Sequence, residues 1–297
     1  MAVLETYNGY PLWRYIPSLP PAIVFVALFT ILTVAHGWKM IRHSMWFCIP
    51  FFVGGFFEIV GYVGRAVAHN ATGELIPYVL QSTFLLLAPI LFAASLYMTL
   101  SRVIRAVDGV HCSIIAPRWL TVIFVTGDCI SFIVQASGAG LRIMAGQGKR
   151  NINPHLGSWI IVGGLVFQII VFGVFIFTGL RFNLLFKNDP AAIRTGRMPW
   201  QGIMYMLFMT SAAVMMRNIF RVVEYAMGPD GFLFTIEWGV YAFDASLMTI
   251  TMALFWLWYP SQLKPFTNNG SFEMGTSPGV SRVANTKPAD AGTDGSN

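Results

Sequence analysis

Charge, cysteine and histidine are all scarce in this chain of 297 residues, and each scarcity excludes a class of protein. Charged side chains make up 11% of the residues, whereas soluble domains contain about 25%. The three cysteines (Cys48, Cys112 and Cys129) are too scattered for a disulfide framework or a metal-ligand motif, so no metal site is predicted. No nucleotide-binding motif is present, and we expect no cofactor.

Long apolar stretches fill most of the chain. Hydrophobic residues account for 56% of it, and a bilayer core of roughly 30 Å needs about 20 apolar residues of helix to cross. Seven stretches meet that length, at 18–37, 45–66, 76–100, 119–141, 156–180, 201–225 and 235–258. They predict an all-α integral membrane protein with seven transmembrane helices. No room remains for a soluble catalytic domain, and we do not expect an enzyme.

Basic residues are distributed unevenly between the two sides of the predicted bundle. The segments after spans one, three, five and seven carry twelve lysines and arginines, and the opposite side carries four. Because cytoplasmic loops carry an excess of basic residues, this distribution predicts an outside N-terminus and a cytosolic C-terminus. The net charge of +6 therefore reflects orientation in a membrane, and we expect no nucleic-acid partner.

The chain divides into three predicted parts. Residues 1–17 form an extracellular segment without the features of a cleavable signal peptide. Residues 18–259 form the membrane domain, and residues 260–297, rich in Gly, Ser, Thr, Asn and Pro, form a disordered cytosolic tail. The sequon Asn70-Ala71-Thr72 lies in a short loop predicted to be outside, so Asn70 is a candidate glycosylation site.

Seven spans with an outside N-terminus also suggest a receptor. A retinal protein needs a lysine within the last span, and all five lysines lie outside the spans. Rhodopsin-type receptors carry an acidic-Arg-aromatic triplet and an Asn-Pro-x-x-Tyr motif, but residues 100–103 are Leu-Ser-Arg-Val and residues 258–261 are Trp-Tyr-Pro-Ser. The interpretation as an atypical receptor remains open. The five histidines lie at span ends or in loops, which argues against a zinc hydrolase.

Ionisable residues inside the spans are the main functional signal. A charge in the hydrocarbon layer costs several kcal/mol unless it is paired or hydrated, so these residues are expected to face the bundle interior. Spacings of i, i+4 and i+7 place them on one face of their helix. The residues predicted to line a polar cavity are Glu58 and Arg65 of span two, Arg217, Arg221 and Glu224 of span six, and Glu237, Tyr241 and Asp244 of span seven.

Helix rise places these charges at matching depths. A rise of about 1.5 Å per residue predicts the ion pairs Arg217–Asp244 and Arg221–Glu237 between spans six and seven, with Glu58 and Arg65 close by. Four acids meet three arginines, and the single surplus acid is available to a proton or a cationic head group. The alternative that the pairs only fix helix packing stays open.

Three polar residues form a second tier of candidates: Gln81, Asp128 and Gln135. Asp128 lies near the midplane of span four, apart from the other acids, and is as consistent with packing as with substrate contact. Pro89 lies in the middle of span three, where it is expected to kink the helix and to leave a carbonyl without its helical partner.

Several motifs, in chain order, resemble the fungal lipid-translocating exporters, the RTA-like proteins named for resistance to aminocholesterol. The similar stretches are 77–81, 87–89 and 93–98 in span three, 217–224 with Gly228, Glu237, Tyr241 and Asp244 in spans six and seven, 58–62 with Arg65 in span two, and Asp128 with Gln135 and Gly138 in span four. The resemblance covers nearly the whole bundle.

The resemblance implies a fungal multi-pass protein, usually of the plasma membrane, that translocates or exports a lipid-like amphiphile. Sphingoid bases, sterol-like compounds and other toxic amphiphiles are the implied substrates, membrane lipids the implied partners, and stress or drug tolerance the implied outcome. The alternative is a receptor-like sensor of lipid stress without transport activity. In that case the basic loop Arg181–Arg197 would contact a cytosolic partner.

Overall fold

Seven helices long and apolar enough to cross a membrane make up the fold, which confirms the predicted number of spans. The computed structural model describes residues 6–7, 12–13, 15–146, 154–189, 200–228 and 237–257. The helices are α1 (Leu19–Arg42), α2 (Ile49–Ala68), α3 (Leu75–Ala106), α4 (Pro117–Gly146), α5 (Pro154–Lys187), α6 (Trp200–Ala226) and α7 (Trp238–Leu257). The protein is a multi-pass integral membrane protein.

Proline and glycine mark the helix boundaries. Proline occupies the first turn of α1 and of α2, where its missing N–H has no helical acceptor to lose. Gly228 follows α6 with a φ of +76°, the left-handed conformation that ends many helices and that glycine adopts without strain. Within the described part of the chain, the helix ends therefore follow from local chemistry.

Each helix packs against its neighbours in the chain, and helices distant in sequence also meet. Helix α1 packs on α7, and α3 packs on α6. Helix α6 is the most buried of the seven and α1 the least. We call the end of the bundle where α1, α3, α5 and α7 begin the N-terminal end. The predicted orientation of this end toward the outside stays a prediction.

The surface of the bundle is apolar. Every helix carries large exposed apolar side chains, among them Ile31 and Val34 of α1, each 65% exposed, and Ile133 of α4, 66% exposed. An exposed apolar surface of this extent is expected where lipid is the solvent. Charged residues such as Glu58, Arg217 and Asp244 are buried, which is the reverse of the arrangement in a water-soluble protein.

Aromatic rings pack inside the bundle toward the end opposite its N-terminal end. Phe51 of α2 lies 4.2 Å from Phe255 of α7 and 4.6 Å from Phe92 of α3, measured between ring centroids. His36 of α1 joins this group 4.8 Å from Phe51, and its Nε2 donates to the Met252 carbonyl at 2.9 Å. These contacts hold α1, α2, α3 and α7 together on the side of the bundle away from its N-terminal end.

Helices α4 and α5 approach each other at a pair of glycines. A Cβ on Gly138 would lie 2.8 Å from the carbonyl oxygen of Gly157, and a Cβ on Gly157 would lie 2.7 Å from that of Gly138. Real Cβ atoms do not tolerate such distances from backbone. Small residues at this crossing therefore permit the close backbone contact that membrane helices use in place of the hydrophobic effect.

All described residues belong to one unit, Met1–Lys264, and the other unit, Pro265–Asn297, lies outside them. The predicted N-terminal segment 1–17 is described only in part. The predicted tail, 260–297, and residues 190–197 of the basic loop lie outside the described residues. The three-part division of the chain stays a prediction.

Candidate functional site

Five charged residues meet inside the bundle between α2, α6 and α7: Glu58, Arg217, Arg221, Glu224 and Asp244. We call them the ion cluster. Arg217 Nε pairs with Asp244 Oδ1, and Arg221 Nη2 donates to Asp244 Oδ2 at 2.5 Å. Arg221 Nη1 donates to Glu224 Oε2 at 2.9 Å, one turn away on α6. The predicted Arg217–Asp244 pair is therefore confirmed, with Asp244 bridging both arginines.

Pro89 contributes to the ion cluster through its missing N–H. In α3 the residue four positions before Pro89 is Leu85, whose carbonyl has no helical donor because proline has no N–H. Arg217 Nη2 donates to that carbonyl at 2.5 Å. Helix α3 continues through Pro89 as one helix. The Leu85 carbonyl, which Pro89 leaves without a helical donor, thus binds an arginine from α6.

Glu58 is the acid that the ion cluster leaves without an arginine of its own. The cluster contains three acids and two arginines, and Glu58 lies close enough to Asp244, Arg217 and Arg221 to interact with them electrostatically. Its side chain is 1% exposed, and among the described residues its Oε1 has no hydrogen-bond partner. The surplus acid predicted from the sequence is therefore located at Glu58.

A second polar network lies at the N-terminal end of the bundle. It joins Tyr15, Ser18, Arg65, Glu237 and Tyr241, and we call it the end network. Arg65 donates to Tyr15 Oη and Tyr241 Oη, both at 2.8 Å, and to Glu237 Oε1 at 2.9 Å. The backbone N–H of Ser18 donates to Glu237 Oε1 at 2.7 Å, and its hydroxyl donates to Glu237 Oε2. The network ties the starts of α1 and α7 to the end of α2.

The predicted Arg221–Glu237 pair is wrong. Arg221 binds Glu224 and Asp244, and Glu237 binds Arg65. The reason is a π-helical turn in α7, Tyr241–Ala245. An extra residue per turn rotates the helix face, so Glu237 points toward α2 while Asp244 points toward α6. Residues spaced i, i+4 and i+7 share one face of the helix only when the helix is a regular α-helix.

Tyr62 lies between the ion cluster and the end network. It is fully buried and stacks on Phe25 and Phe29 of α1 at 5.8 and 5.4 Å, and on Tyr241 at 6.3 Å. Its hydroxyl interacts electrostatically with members of both groups, among them Asp244 and Arg65. Among the described residues this hydroxyl has no hydrogen-bond partner. The two networks are therefore neighbours separated by one aromatic layer.

The second-tier residues are divided between two places. Gln81 lies beside the end network, 3.5 Å from Arg65 Nη1, at the outer limit of a hydrogen bond. Asp128 of α4 lies elsewhere and accepts a hydrogen bond from Tyr97 of α3 at 2.7 Å. Gln135 donates to Ser131 and Gln168, both at 2.9 Å. Asp128 and Gln135 therefore join α4 to its neighbours and do not touch the ion cluster.

Two apolar grooves flank α2 at the N-terminal end. One, of about 480 Å³, lies against α1 and is lined by Ile23, Val26 and Val63. The other, of about 260 Å³, lies against α3 and includes Ile59, Val63 and Leu80. Asn70 borders the first groove and is exposed. Its glycosylation stays a prediction.

Several residues of these networks were missed in the sequence. Tyr15 and Ser18 carry no signal of their own, since each binds a partner far away in the chain. The Leu85 carbonyl is signalled only by Pro89, four residues later. Nothing in the sequence indicates that Tyr97 binds Asp128, because a tyrosine in an apolar span is common. The predicted polar residues are also more buried than expected: Arg217 is 2% exposed and Asp244 is 1% exposed.

The fold and the site together define a class of protein. Seven apolar helices enclose charged residues that are paired within the bundle, and such residues in membrane proteins mark substrate and ion pathways. The class is a multi-pass helical membrane protein with a polar interior.

The chain belongs to the family described as RTA1 like protein, which matches residues 51–266. Protoporphyrin uptake protein 1 of Saccharomyces cerevisiae is 32% identical over 285 residues, which cover 84% of this chain and 92% of that protein. Protein RTM1 of the same organism is 37% identical over 228 residues, 76% of this chain and 72% of that protein. Sphingoid long-chain base transporter RSB1 is 23% identical over 277 residues, 82% and 72% of the two chains. No solved structure matches.

Two of these three relatives are named for moving an amphiphile, and none is named for an enzymatic activity. The resemblance to RTA-like proteins is therefore confirmed at the level of the family.

Proposed function

We propose that this protein translocates a lipid-like amphiphile with a cationic or strongly polar head across a membrane, and that the ion cluster receives the head. The observation that carries the proposal is Glu58, a buried acid left over after the neighbouring arginines are matched with Asp244 and Glu224. A buried carboxyl group that has no arginine of its own is costly to ionise. Binding of an ammonium group or a proton at Glu58 would remove that cost.

The apolar part of the substrate has a suitable place beside the same helix. The two grooves that flank α2 share Val63 and Val67, which lie on the outer face of that helix, while Glu58, Tyr62 and Arg65 lie on its inner face. An acyl chain in either groove would run alongside the helix that carries the surplus acid. The names of two relatives, a sphingoid base transporter and a protoporphyrin uptake protein, agree with an amphiphilic substrate.

Access to the ion cluster requires the end network to open. On α2 and α7 the end network lies nearer the N-terminal end than Glu58 and Asp244 do, and its residues join α1, α2 and α7 by hydrogen bonds that can break and reform. With the predicted orientation, this end faces outside. We infer that the cluster opens toward the outer leaflet, in the plasma membrane, when Arg65 and Glu237 separate.

The first test measures transbilayer movement of a fluorescent sphingoid base in liposomes that contain the purified protein. Glu58→Gln is expected to lower the rate about tenfold to a hundredfold, because a hydrogen bond to a charged group contributes about 1.5–3 kcal/mol. Asp128→Asn is the matched control, since it also neutralises a buried acid but lies away from the cluster, and its rate should stay near that of the unchanged protein.

The outcomes separate three cases. Equal rates for Glu58→Gln and the unchanged protein would overturn the role of Glu58. Equal losses in both variants would point to a general effect of removing a buried acid. No movement in the unchanged protein, with the probe still bound, would favour the alternative of a receptor-like sensor.

The sensor alternative rests on one observation, which is that the ion cluster is closed. Arg217 and Asp244 are almost completely buried, as expected of a switch that stays paired until a ligand separates it. A sensor would need a cytosolic partner, for which the loop Arg181–Arg197 is the candidate. Deleting 190–197 would then abolish the cellular response while binding of the probe persists.

A further inference from the structure

A third polar group lies at the opposite end of the bundle from the end network. His111 and Cys112 belong to a short 3-10 turn between α3 and α4, and Asp189 lies two residues beyond the end of α5. His111 Nε2 is 2.7 Å from Asp189 Oδ2, and Cys112 Sγ is 3.7 Å from the same oxygen. The three ligand atoms all lie within 4.8 Å of one another.

The backbone holds these residues in place. Gly109 precedes the turn and packs so closely on α5 that a Cβ there would lie 2.8 Å from Phe182 and 3.0 Å from Phe186. The N–H of Cys112 donates to the Gly109 carbonyl at 3.0 Å, and the N–H of Asp189 donates to the Phe186 carbonyl at 3.1 Å. The turn and the end of α5 are therefore fixed against each other by packing that does not depend on the polar contacts.

Imidazole, thiolate and carboxylate are the three ligand types that zinc prefers in proteins. Metal–ligand distances of about 2.0–2.3 Å in a tetrahedral site place ligand atoms roughly 3.3–3.8 Å apart. The Cys112–Asp189 distance of 3.7 Å already fits. The His111–Asp189 distance of 2.7 Å must widen by less than about 1 Å, which rotation of two side chains at the surface permits.

We propose that His111, Cys112 and Asp189 bind a divalent transition-metal ion of the zinc class, with a fourth coordination position open to water. The His111 side chain is 57% exposed and that of Asp189 is 21% exposed, so an ion can arrive from solvent, while the buried Cys112 closes the inner side. The sequence did not predict this site, because Asp189 lies 77 positions after Cys112.

Bound metal would cross-link the α3–α4 connection to the end of α5. The contact between His111 and Asp189 alone is an ion pair at the surface, and such pairs contribute little to stability. A metal ion held by three ligands would fix the same junction far more firmly. This site is independent of the proposed transport activity, because it lies at the other end of the bundle.

Cobalt absorption tests the site directly. The protein, purified in detergent without a histidine tag, is titrated with Co²⁺, which gives a thiolate-to-metal charge-transfer absorption only when a cysteine binds it. The full chain is expected to show this absorption at one ion per chain, and Zn²⁺ should displace the cobalt. Cys112→Ser should remove the absorption, and Asp189→Asn or His111→Ala should weaken binding by at least about tenfold.

Two substitutions serve as controls. Cys129→Ser removes an exposed thiol from α4, and His155→Ala removes an exposed imidazole from the start of α5; both should leave the titration unchanged. A full chain without the charge-transfer absorption would overturn the proposal. An absorption that survives Cys112→Ser, or that is lost in Cys129→Ser, would overturn it as well. Unchanged thermal unfolding of the variants without metal shows that they are folded.

Discussion

Arg217 connects three helices through one guanidinium group. It is anchored on α6, pairs with Asp244 of α7 and donates to the Leu85 carbonyl of α3. Because Pro89 frees that carbonyl, a proline and an arginine 128 positions apart act together. The arginine is stabilised in an apolar bundle because its Nε meets Asp244 and its Nη2 meets the Leu85 carbonyl.

The pairing of Arg217 with Asp244 gives a stability prediction at the residue scale. Asp244→Asn removes the partner of Arg217 and one of two partners of Arg221, and breaking a buried pair costs about 3–5 kcal/mol. The double variant Arg217→Met/Asp244→Asn removes the orphaned charge and should recover most of that loss. Equilibrium unfolding in detergent measures both, and a double variant less stable than Asp244→Asn alone would contradict the prediction.

At the scale of elements, the π-helical turn of α7 decides which residues meet. A regular helix would present Glu237, Tyr241 and Asp244 on one face, whereas the turn at Tyr241–Ala245 sends Glu237 toward Arg65 and Asp244 toward Arg217. Insertions of this kind are frequent at functional sites. The turn thereby creates two neighbouring networks where the sequence predicted a single group.

The crossing of α4 and α5 gives a prediction at the element scale. Gly138→Ala places a Cβ about 2.8 Å from the Gly157 carbonyl, so the helices must separate, and overpacking of this kind costs about 1–3 kcal/mol. The thermal unfolding temperature in detergent should fall.

Gly163→Ala is the matched control for that crossing. A Cβ on Gly163 meets nothing within 4 Å, and alanine is the better helix former by about 1 kcal/mol. Its unfolding temperature should stay the same or rise. An equal fall for both variants would show that the loss does not come from the α4–α5 crossing, and an unchanged temperature for Gly138→Ala would show that the crossing is looser than these distances indicate.

At the scale of the whole molecule, the two ends of the bundle differ in chemistry. The N-terminal end holds the end network, and the ion cluster extends from Glu224, about 3 Å inside the end of α6, to Glu58, about 15 Å inside the end of α2, at 1.5 Å per residue. The other end holds the His111, Cys112 and Asp189 group and Lys39, whose ammonium lies 4.0 Å from the Trp256 ring centroid. The proposed substrate path and the proposed metal site thus lie at opposite ends of the bundle.

The orientation of the bundle is a prediction at this scale. In a background without native cysteines, Asn70→Cys and Ile114→Cys each place one exposed thiol at opposite ends of the bundle. A maleimide that cannot cross membranes should label Asn70→Cys on intact cells, and should label Ile114→Cys only after the cells are permeabilised, because the basic loops are retained in the cytosol. The reverse pattern would invert the orientation.

The sequence by itself determined the number of helices, their approximate ends and the residues that carry charge into the bundle. It could do so because hydrocarbon thickness sets helix length and because a charge in an apolar span needs a partner. The Arg217–Asp244 pair followed from depth alone, since helices α6 and α7 are connected by a short segment and must lie side by side.

Only the tertiary structure decided how the charged residues are divided between the ion cluster and the end network. Local spacing does not reveal a π-helical turn, so Glu237 was assigned to Arg221 and not to Arg65. Nor does it show that Ser18, at the start of α1, reaches a carboxylate 219 positions later, or that His111, Cys112 and Asp189 converge. These contacts arise from the packing of distant helices, and Glu58 is left without an arginine of its own because Arg217 and Arg221 are already paired.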